Sequence, residues 1–328
     1  MNQFKKIIKN KMILGVVVFL VFVYLNNTSA FINNVGGRPV LLAHRGLGQT
    51  FKMEGMTNET NTAQIINQPE HPYLENTIAS MQAAFDYGAD SVELDIQLTK
   101  DGEFAVFHDW QLEYRTDGKG NVSDYTMEDL KRLDIGYQYT ADNGESFPFR
   151  GKGIGLMPTL KEVFAVFPNQ SFLIHIKSNQ AQDGEMLAKY LKDLSAERLE
   201  QLAVYGGDQP IAALQKQQPS LRAMSKASLI KALVTYETFG WTGYIPEPCK
   251  NTELHIPLKY TRYLWGWPDK FMQRMDRANT QVIIVLGDGR FSEGFDKKED
   301  LEALPPYFTG GIWTNRIDRI GPLFYNKK

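Results

Sequence analysis

Short apolar blocks recur along this chain, separated by stretches in which apolar residues return every three or four positions. The blocks at 40–46, 92–96, 104–109, 171–177, 202–205, 221–225, 281–286 and 311–314 have the length and alternation of β-strands. Between them, residues 77–87 put Ile78, Met81, Ala84 and Phe85 on one helical face. Residues 127–133 open on a cap signal at Thr126, and 158–167 closes at Pro168. Strands alternating with helices predict a parallel α/β sheet, and about eight such strands predict a closed TIM (β/α)8 barrel. The turn Lys100-Asp101-Gly102 is short enough for a hairpin, which leaves the place of the 104–109 strand in the sheet open. A polar loop at 49–73 is long enough to cover a site.

The N-terminus departs from this pattern. Lys5, Lys6, Lys9 and Lys11 precede an apolar run over 12–25, then Asn26-Asn27-Thr28 and the small residues Ser29 and Ala30. This is the layout of an export signal, and the run is shorter than the roughly 20 residues of a usual spanning helix. Bulky neighbours and the lack of a sharp cleavage site favour retention as a membrane anchor over removal as a signal peptide. In either case the lysines stay cytoplasmic and the domain is exported, anchored and facing the periplasm or cell exterior, or secreted. Two parts are expected: 1–30 as basic region and anchor, 31–328 as barrel.

With 328 residues and 43% hydrophobic content, the chain can bury one large core. A formal net charge of −2 gives no support to a nucleic-acid partner. The lone Cys249 excludes an intrachain disulfide and a cysteine zinc site.

The polar residues that interrupt the strands carry the candidate chemistry. Glu93 and Asp95 lie two apart, so both point to one face among Val92, Leu94 and Ile96 and can share a hard cation. A solvent-facing edge strand would give the same spacing. His44 and His108 each close an apolar block; imidazoles so placed suit the base and the acid of phosphodiester cleavage, or a structural role in the core. Arg45 offers a fork of donors to phosphate, or a surface ion pair. Lys177 shares a face with His175 and suits the charge that builds on phosphorus, or simply extends into solvent. Asn76 or Thr77 can cap the following helix. The glycine-rich stretch 150–155 lacks the setting of a nucleotide loop. The aromatic stretch 260–267 reads first as a barrel-surface helix and second as a groove for an acyl chain.

Together, Ala43-His44-Arg45-Gly46, Glu75-Asn76-Thr77, the run 88–102, His108-Asp109 and Pro158-Thr159-Leu160-Lys161-Glu162 resemble the glycerophosphodiester phosphodiesterase family, which has a TIM-barrel fold. The likeness is strong over 40–177 and is carried later by the run 310–315. It implies metal-dependent hydrolysis of a glycerophosphodiester to glycerol phosphate and an alcohol. It implies His44 and His108 as acid and base, Arg45 and Lys177 as phosphate contacts, Glu93 and Asp95 as ligands of one divalent cation, and Glu75 in or beside the metal shell. Where the family usually has Glu, this chain has His175. A neutral imidazole there favours Mn or Zn relative to Mg or Ca, the expected cations, if His175 is a substituted ligand. The alternatives are a lysophospholipase D-type activity on lysophospholipids and a non-catalytic barrel that binds a phosphorylated ligand. The partner is a small-molecule or lipid phosphodiester, with the membrane as a second partner if the N-terminus is kept.

Overall fold

The computed structural model describes residues 2–32, 37–57, 60–287 and 293–325. Nine strands form one sheet: β1 (Val40–Ala43), β2 (Ser91–Leu98), β3 (Phe104–Val106), β4 (Ser171–Ile176), β5 (Leu202–Gly206), β6 (Arg222–Ser225), β7 (Glu253–Pro257), β8 (Gln281–Val285) and β9 (Gly311–Thr314). Eight of them run parallel in the order β6-β5-β4-β2-β1-β9-β8-β7, a nearly closed barrel. Between β6 and β7 no strand pairing is present among the described residues. There the Thr252 hydroxyl donates to the Ala223 carbonyl at 2.8 Å, bridging the two staves.

Two strands differ from the sequence reading. The 104–109 block is not a stave: β3 pairs antiparallel with the far end of β2, with Ile96 opposite Val106 and Leu98 opposite Phe104. The short turn, with Gly102 at φ +83, returns the chain as a hairpin. The missing stave is β7, whose inward positions are the polar Glu253 and His255, so its apolar pattern is reduced to Leu254 and Ile256.

Period two divides each stave between two packings. Leu41, Val92, Leu94, Ile174, Val204, Ile284 and Ile312 face the helices in one large core. Leu42, Leu173, Ala203, Ile283, Val285 and Trp313 fill the barrel interior. Each fully buried aliphatic side chain stabilises the fold by about 2 kcal/mol relative to exposure. Leu112, Val122, Leu130, Ile135, Tyr139 and Phe149 belong to a third core, beside the barrel mouth, built by the excursion that follows β3 together with Ala63, Ile66 and Leu74 from before α2.

The α-helices among the described residues are α1 (Asn2–Asn27), α2 (Ile78–Asp86), α3 (Met127–Lys131), α4 (Leu160–Val166), α5 (Ala181–Leu191), α6 (Ala196–Glu200), α7 (Asp208–Gln217), α8 (Lys226–Phe239), α9 (Leu258–Thr261), α10 (Asp269–Arg277), α11 (Ile317–Ile320) and α12 (Pro322–Tyr325). Thr77, Thr126 and Thr159 cap α2, α3 and α4 through their hydroxyls, each worth about 1 kcal/mol. Ser225, the last residue of β6, caps α8, so α8 starts at the carboxyl rim of the barrel and runs back to the opposite rim.

Helix α1 extends beyond the 12–25 run. Its stretch Lys9–Asn27 is 19 residues long, apolar enough to cross a membrane, and unburied. Only its end is seated on the barrel. Asn27 Nδ2 donates to the Trp241 carbonyl at 2.8 Å, and Arg274 donates to the Asn26 carbonyl at 2.7 Å and to Asn27 Oδ1 at 3.1 Å. Phe19 meets the Trp241 ring edge-on, centroids 5.4 Å apart.

Candidate active site

Adjacent staves deliver the first pair. β1 and β9 are in register at Ala43 and Thr314, so the next residues, His44 and Asn315, emerge side by side. His44 Nδ1 lies 2.6 Å from Asn315 Oδ1. Asn315 is in turn held by Asp296, through its backbone N–H at 2.6 Å and its amide nitrogen at 3.0 Å. With the amide oxygen as acceptor, His44 carries its proton on Nδ1 and leaves Nε2 as the basic nitrogen, 3.9 Å from Glu93.

Arg45 turns the chain at φ +54, a region costly for a residue with a side chain, and Gly46 follows at φ +75. A Cβ on Gly46 would sit 2.7 Å from the Ser80 backbone. The turn aims the Arg45 N–H at Glu93 Oε2, 3.1 Å away, and its guanidinium at Glu75, 2.8 Å away. Asn76, also left-handed at φ +58, does not cap the helix. It clasps Asp95, donating to Oδ2 at 2.9 Å and accepting the Asp95 N–H at 3.1 Å.

Glu93 and Asp95 point into the barrel and are 0% and 1% exposed, which removes the edge-strand reading. The Tyr205 hydroxyl donates to Glu93 Oε1 at 2.8 Å, and His175 Nδ1 lies 2.8 Å from Asp95 Oδ1. His175 stacks on Tyr205, with centroids 4.1 Å apart. Lys177, one residue beyond β4, places Nζ 3.7 Å from Asp95 Oδ1.

His108 arrives from outside the barrel, on the loop after β3. Its Nδ1 lies 2.9 Å from Asp109 Oδ1, and Asp109 pairs with Arg115 Nε. Arg115 also lies 3.3 Å from Glu75, so Asp109, Arg115, Glu75 and Arg45 form a buried chain of alternating charge. Glu75 is therefore occupied by two arginines and stands outside the trio Glu93, Asp95 and His175. These contacts place it beside that trio as the anion that holds Arg45.

Burial pushes Glu93 up, and the charge of Asp95 beside it pushes the same way. Burial would also raise Asp95, but His108, Lys177, Arg45 and the His175 hydrogen bond outweigh it and hold that carboxyl well down. The two carboxyls are thus pushed in opposite directions, Glu93 up and Asp95 down. Ligand atoms of Glu93, Asp95 and His175 all lie within 4.8 Å of one another, close enough to hold one ion. Two desolvated carboxylates with an imidazole suit a dication, which would relieve their repulsion. Burial, then Arg45, lowers both His44 and His108. Burial lowers His175 to about 4, and lowers Lys177. Burial thus disfavours the charged form of each imidazole, while Asp95 pulls the other way on all three.

Two openings adjoin these residues. A cavity of about 70 Å³ lies between His44, Arg45, Glu75 and Asn315 and is walled by Gln49 and Phe51 of the polar loop. On the opposite side a groove of about 700 Å³ leads outward from His175, Tyr205 and Trp313 past Met224, Leu233 and Tyr260. The aromatic stretch divides: Tyr260 lines this groove, whereas Leu264, Trp265 and Trp267 pack on the core.

The sequence profile of the Glycerophosphoryl diester phosphodiesterase family matches residues 44–242, more than half of the chain. The chain belongs to this family. It is 45% identical over 103 residues to a glycerophosphodiester phosphodiesterase of Caldanaerobacter subterraneus subsp. tengcongensis, covering 31% of this chain and 39% of that one. It is 35% identical over 130 residues to the human lysophospholipase D GDPD1, covering 38% and 39%. The chain thus spans about two fifths of the length of these relatives. The fold is similar to that of an Oleispira antarctica phosphodiesterase solved with the product sn-glycerol-3-phosphate, with a TM-score of 0.52 and 19% identity over 84% of this chain and 93% of that one.

As a family member, this chain brings His44, Arg45, Glu93, Asp95, His108, His175 and Lys177 to one barrel mouth. Sequence reasoning missed Arg115 and Asp296, and read Asn76 only as a cap. Asn76 stands in the motif Glu75-Asn76-Thr77, so its position was visible while its partner, Asp95, was not.

Proposed function

We propose that this chain is a phosphoric diester hydrolase that converts glycerophosphodiesters and water into glycerol phosphate and an alcohol. The observation that carries this is the pair of imidazoles, each with Nδ1 held by an acceptor, flanking the buried trio Glu93, Asp95 and His175 with Arg45 and Lys177 beside it. A binding module has little use for two such bases around one anion.

The substrate hydroxyl next to the phosphate attacks phosphorus as one histidine accepts its proton at Nε2. The other histidine, entering the step as the imidazolium, gives its Nε2 proton to the departing alkoxide, which leaves as the alcohol. Water then opens the cyclic phosphate with the two roles exchanged. Arg45 and Lys177 offset the charge that accumulates on the phosphoryl oxygens. A divalent cation held by Glu93, Asp95 and His175 would polarise a phosphoryl oxygen and lower the pKa of the attacking hydroxyl. The two carboxylates suit Mg or Ca, and the imidazole widens the choice to Mn or Zn.

Lysophospholipids form the second reading. It is favoured by the 700 Å³ groove running from Tyr205 and Trp313 past Leu233, and by the name of the human relative. We further propose export with retention of α1 in the membrane, as its length and apolar surface suggest.

The test is turnover of glycerophosphocholine and lysophosphatidylcholine by the full chain after EDTA treatment and separate readdition of Mg, Ca, Mn and Zn. Metal-restored product release is expected. Silence with every metal on both substrates overturns the reading.

A further inference from the structure

Side chains that fill a barrel are ordinarily branched and apolar. β7 turns Glu253 and His255 inward instead, while its outward Leu254 and Ile256 join the core under the helices. Glu253 is 2% exposed, and its carboxylate has one hydrogen-bond partner among the described residues, His255 Nε2 at 3.1 Å. A buried carboxylate with so little compensation is costly to a fold. None of the roles assigned at the barrel mouth draws on this pair.

The carboxylate fixes the ring above it. It can only accept, so Nε2 carries the proton and Nδ1 of the neutral ring keeps its lone pair. Nδ1 has no partner among the described residues and is not closed off by burial. Because the ring lines the 700 Å³ groove, that lone pair opens on the groove floor. The His255 ring centroid lies 5.4 Å from that of Tyr205, whose hydroxyl holds Glu93, and 5.9 Å from that of Trp313, which packs on His44 at 4.7 Å. One aromatic ring thus separates this acceptor from the acidic trio on one side and from His44 on the other.

An acceptor at the start of an apolar groove discriminates between substrates. It takes a hydrogen bond from a hydroxyl, whereas an ester brings acceptors only and leaves it unpaired. In a glycerophosphodiester the glycerol half brings two hydroxyls: one attacks phosphorus, and the terminal one is spare. In a lysophospholipid acylated at the terminal carbon, that spare oxygen is an ester. We infer that His255, oriented by Glu253, is a specificity-determining residue whose Nδ1 accepts the spare hydroxyl and so favours a free glycerol over an acylated one. The inference deepens the hydrolase reading and rests on it. An acyl chain still finds the apolar walls at Met224, Leu229 and Leu233, but its substrate forgoes this bond.

The test gives the full chain, with the cation that restores turnover, three diesters. They are glycerophosphocholine, its analogue in which a methyl group replaces the terminal hydroxymethyl, and lysophosphatidylcholine acylated at the terminal carbon. Wild type is expected to show a kcat/KM about tenfold higher on glycerophosphocholine than on the analogue. The double variant Glu253→Leu/His255→Phe keeps a ring beside Tyr205 and strands no buried charge. In it, glycerophosphocholine is expected to fall to the level of the analogue, with the analogue unchanged and the ratio of lysophosphatidylcholine to glycerophosphocholine raised about tenfold. Glu253→Gln/His255→Phe carries the same comparison should the first variant fail to melt cooperatively. A wild type that turns over glycerophosphocholine and the analogue equally overturns the inference and leaves the hydrolase reading standing. So does a variant that keeps the wild-type preference, or loses all three substrates in proportion. A wild type silent on all three overturns both.

Discussion

Asn315 and Asp109 each fix one imidazole by its Nδ1, and the difference between them matters. Asn315 is neutral, whereas Asp109 is a carboxylate held far below its usual range: burial acts to raise it, but Arg115 and His108 outweigh that. Replacing His44 or His108 by alanine is expected to lower kcat by about 10²- to 10⁴-fold with the fold retained, the smaller loss of stability falling at His108, because His44 packs on Trp313, ring centroids 4.7 Å apart, whereas His108 sits on a loop. Parallel activity assays and thermal melts check this. At this scale the sequence was informative wherever a polar residue broke a strand pattern, as at His44, Glu93, Asp95, His175 and Lys177. The partner of His44 was hidden because Asn315 lies 271 positions away, and only the pairing of β1 with β9 brings the two together.

Elements are tied together by a few buried or bridging charges. Glu70, in the polar loop, receives Arg316 at 2.6 Å and Arg319 at 2.8 Å, clasping the loop to the residues that follow β9. Hydrogen bonds from Arg316 and Arg319 lower its carboxyl from 4.5 to about 2. A folded value below the unfolded one means the clasp contributes fully above pH 4.5 and is lost as pH falls toward 2. The melting-temperature gap between wild type and Glu70→Gln is therefore expected to be constant near neutrality and to shrink progressively in acid. Arg274 is the buried counterpart. It donates to the Asn26, Gly240 and Trp265 carbonyls and to Tyr236, joining the ends of α1 and α8. Arg274→Met strands those acceptors and is expected to cost about 2 kcal/mol, read as a lowered midpoint in denaturant titration. Strands were legible wherever alternation was clean. β7 was not, because Glu253 and His255 occupy its inward positions and Pro257 ends it. β3 was legible as a strand but not as a hairpin arm, since its partner is set by geometry beyond the local pattern.

For the whole molecule, the barrel was legible from the alternation of elements, while the division of its mouth into a small polar cavity and a wide apolar groove was not. That division predicts a separable substrate response. Leu229→Arg, at the groove wall, is expected to suppress turnover of lysophosphatidylcholine by tenfold or more, about 1.4 kcal/mol, while sparing glycerophosphocholine. Paired kcat/KM measurements decide it, and equal losses on both substrates would remove the groove from lipid recognition.

His108 reaches the mouth on an excursion that packs with Ala63, Ile66 and Leu74 of the preceding loop in an interior separate from both packings of the staves. Half of the proposed proton-transfer pair therefore sits outside the staves. On the proposed mechanism, shortening or shifting that one excursion would silence the chemistry of a barrel whose scaffold and acidic trio are intact, and a lineage could trade catalysis for ligand capture there without disturbing a single stave.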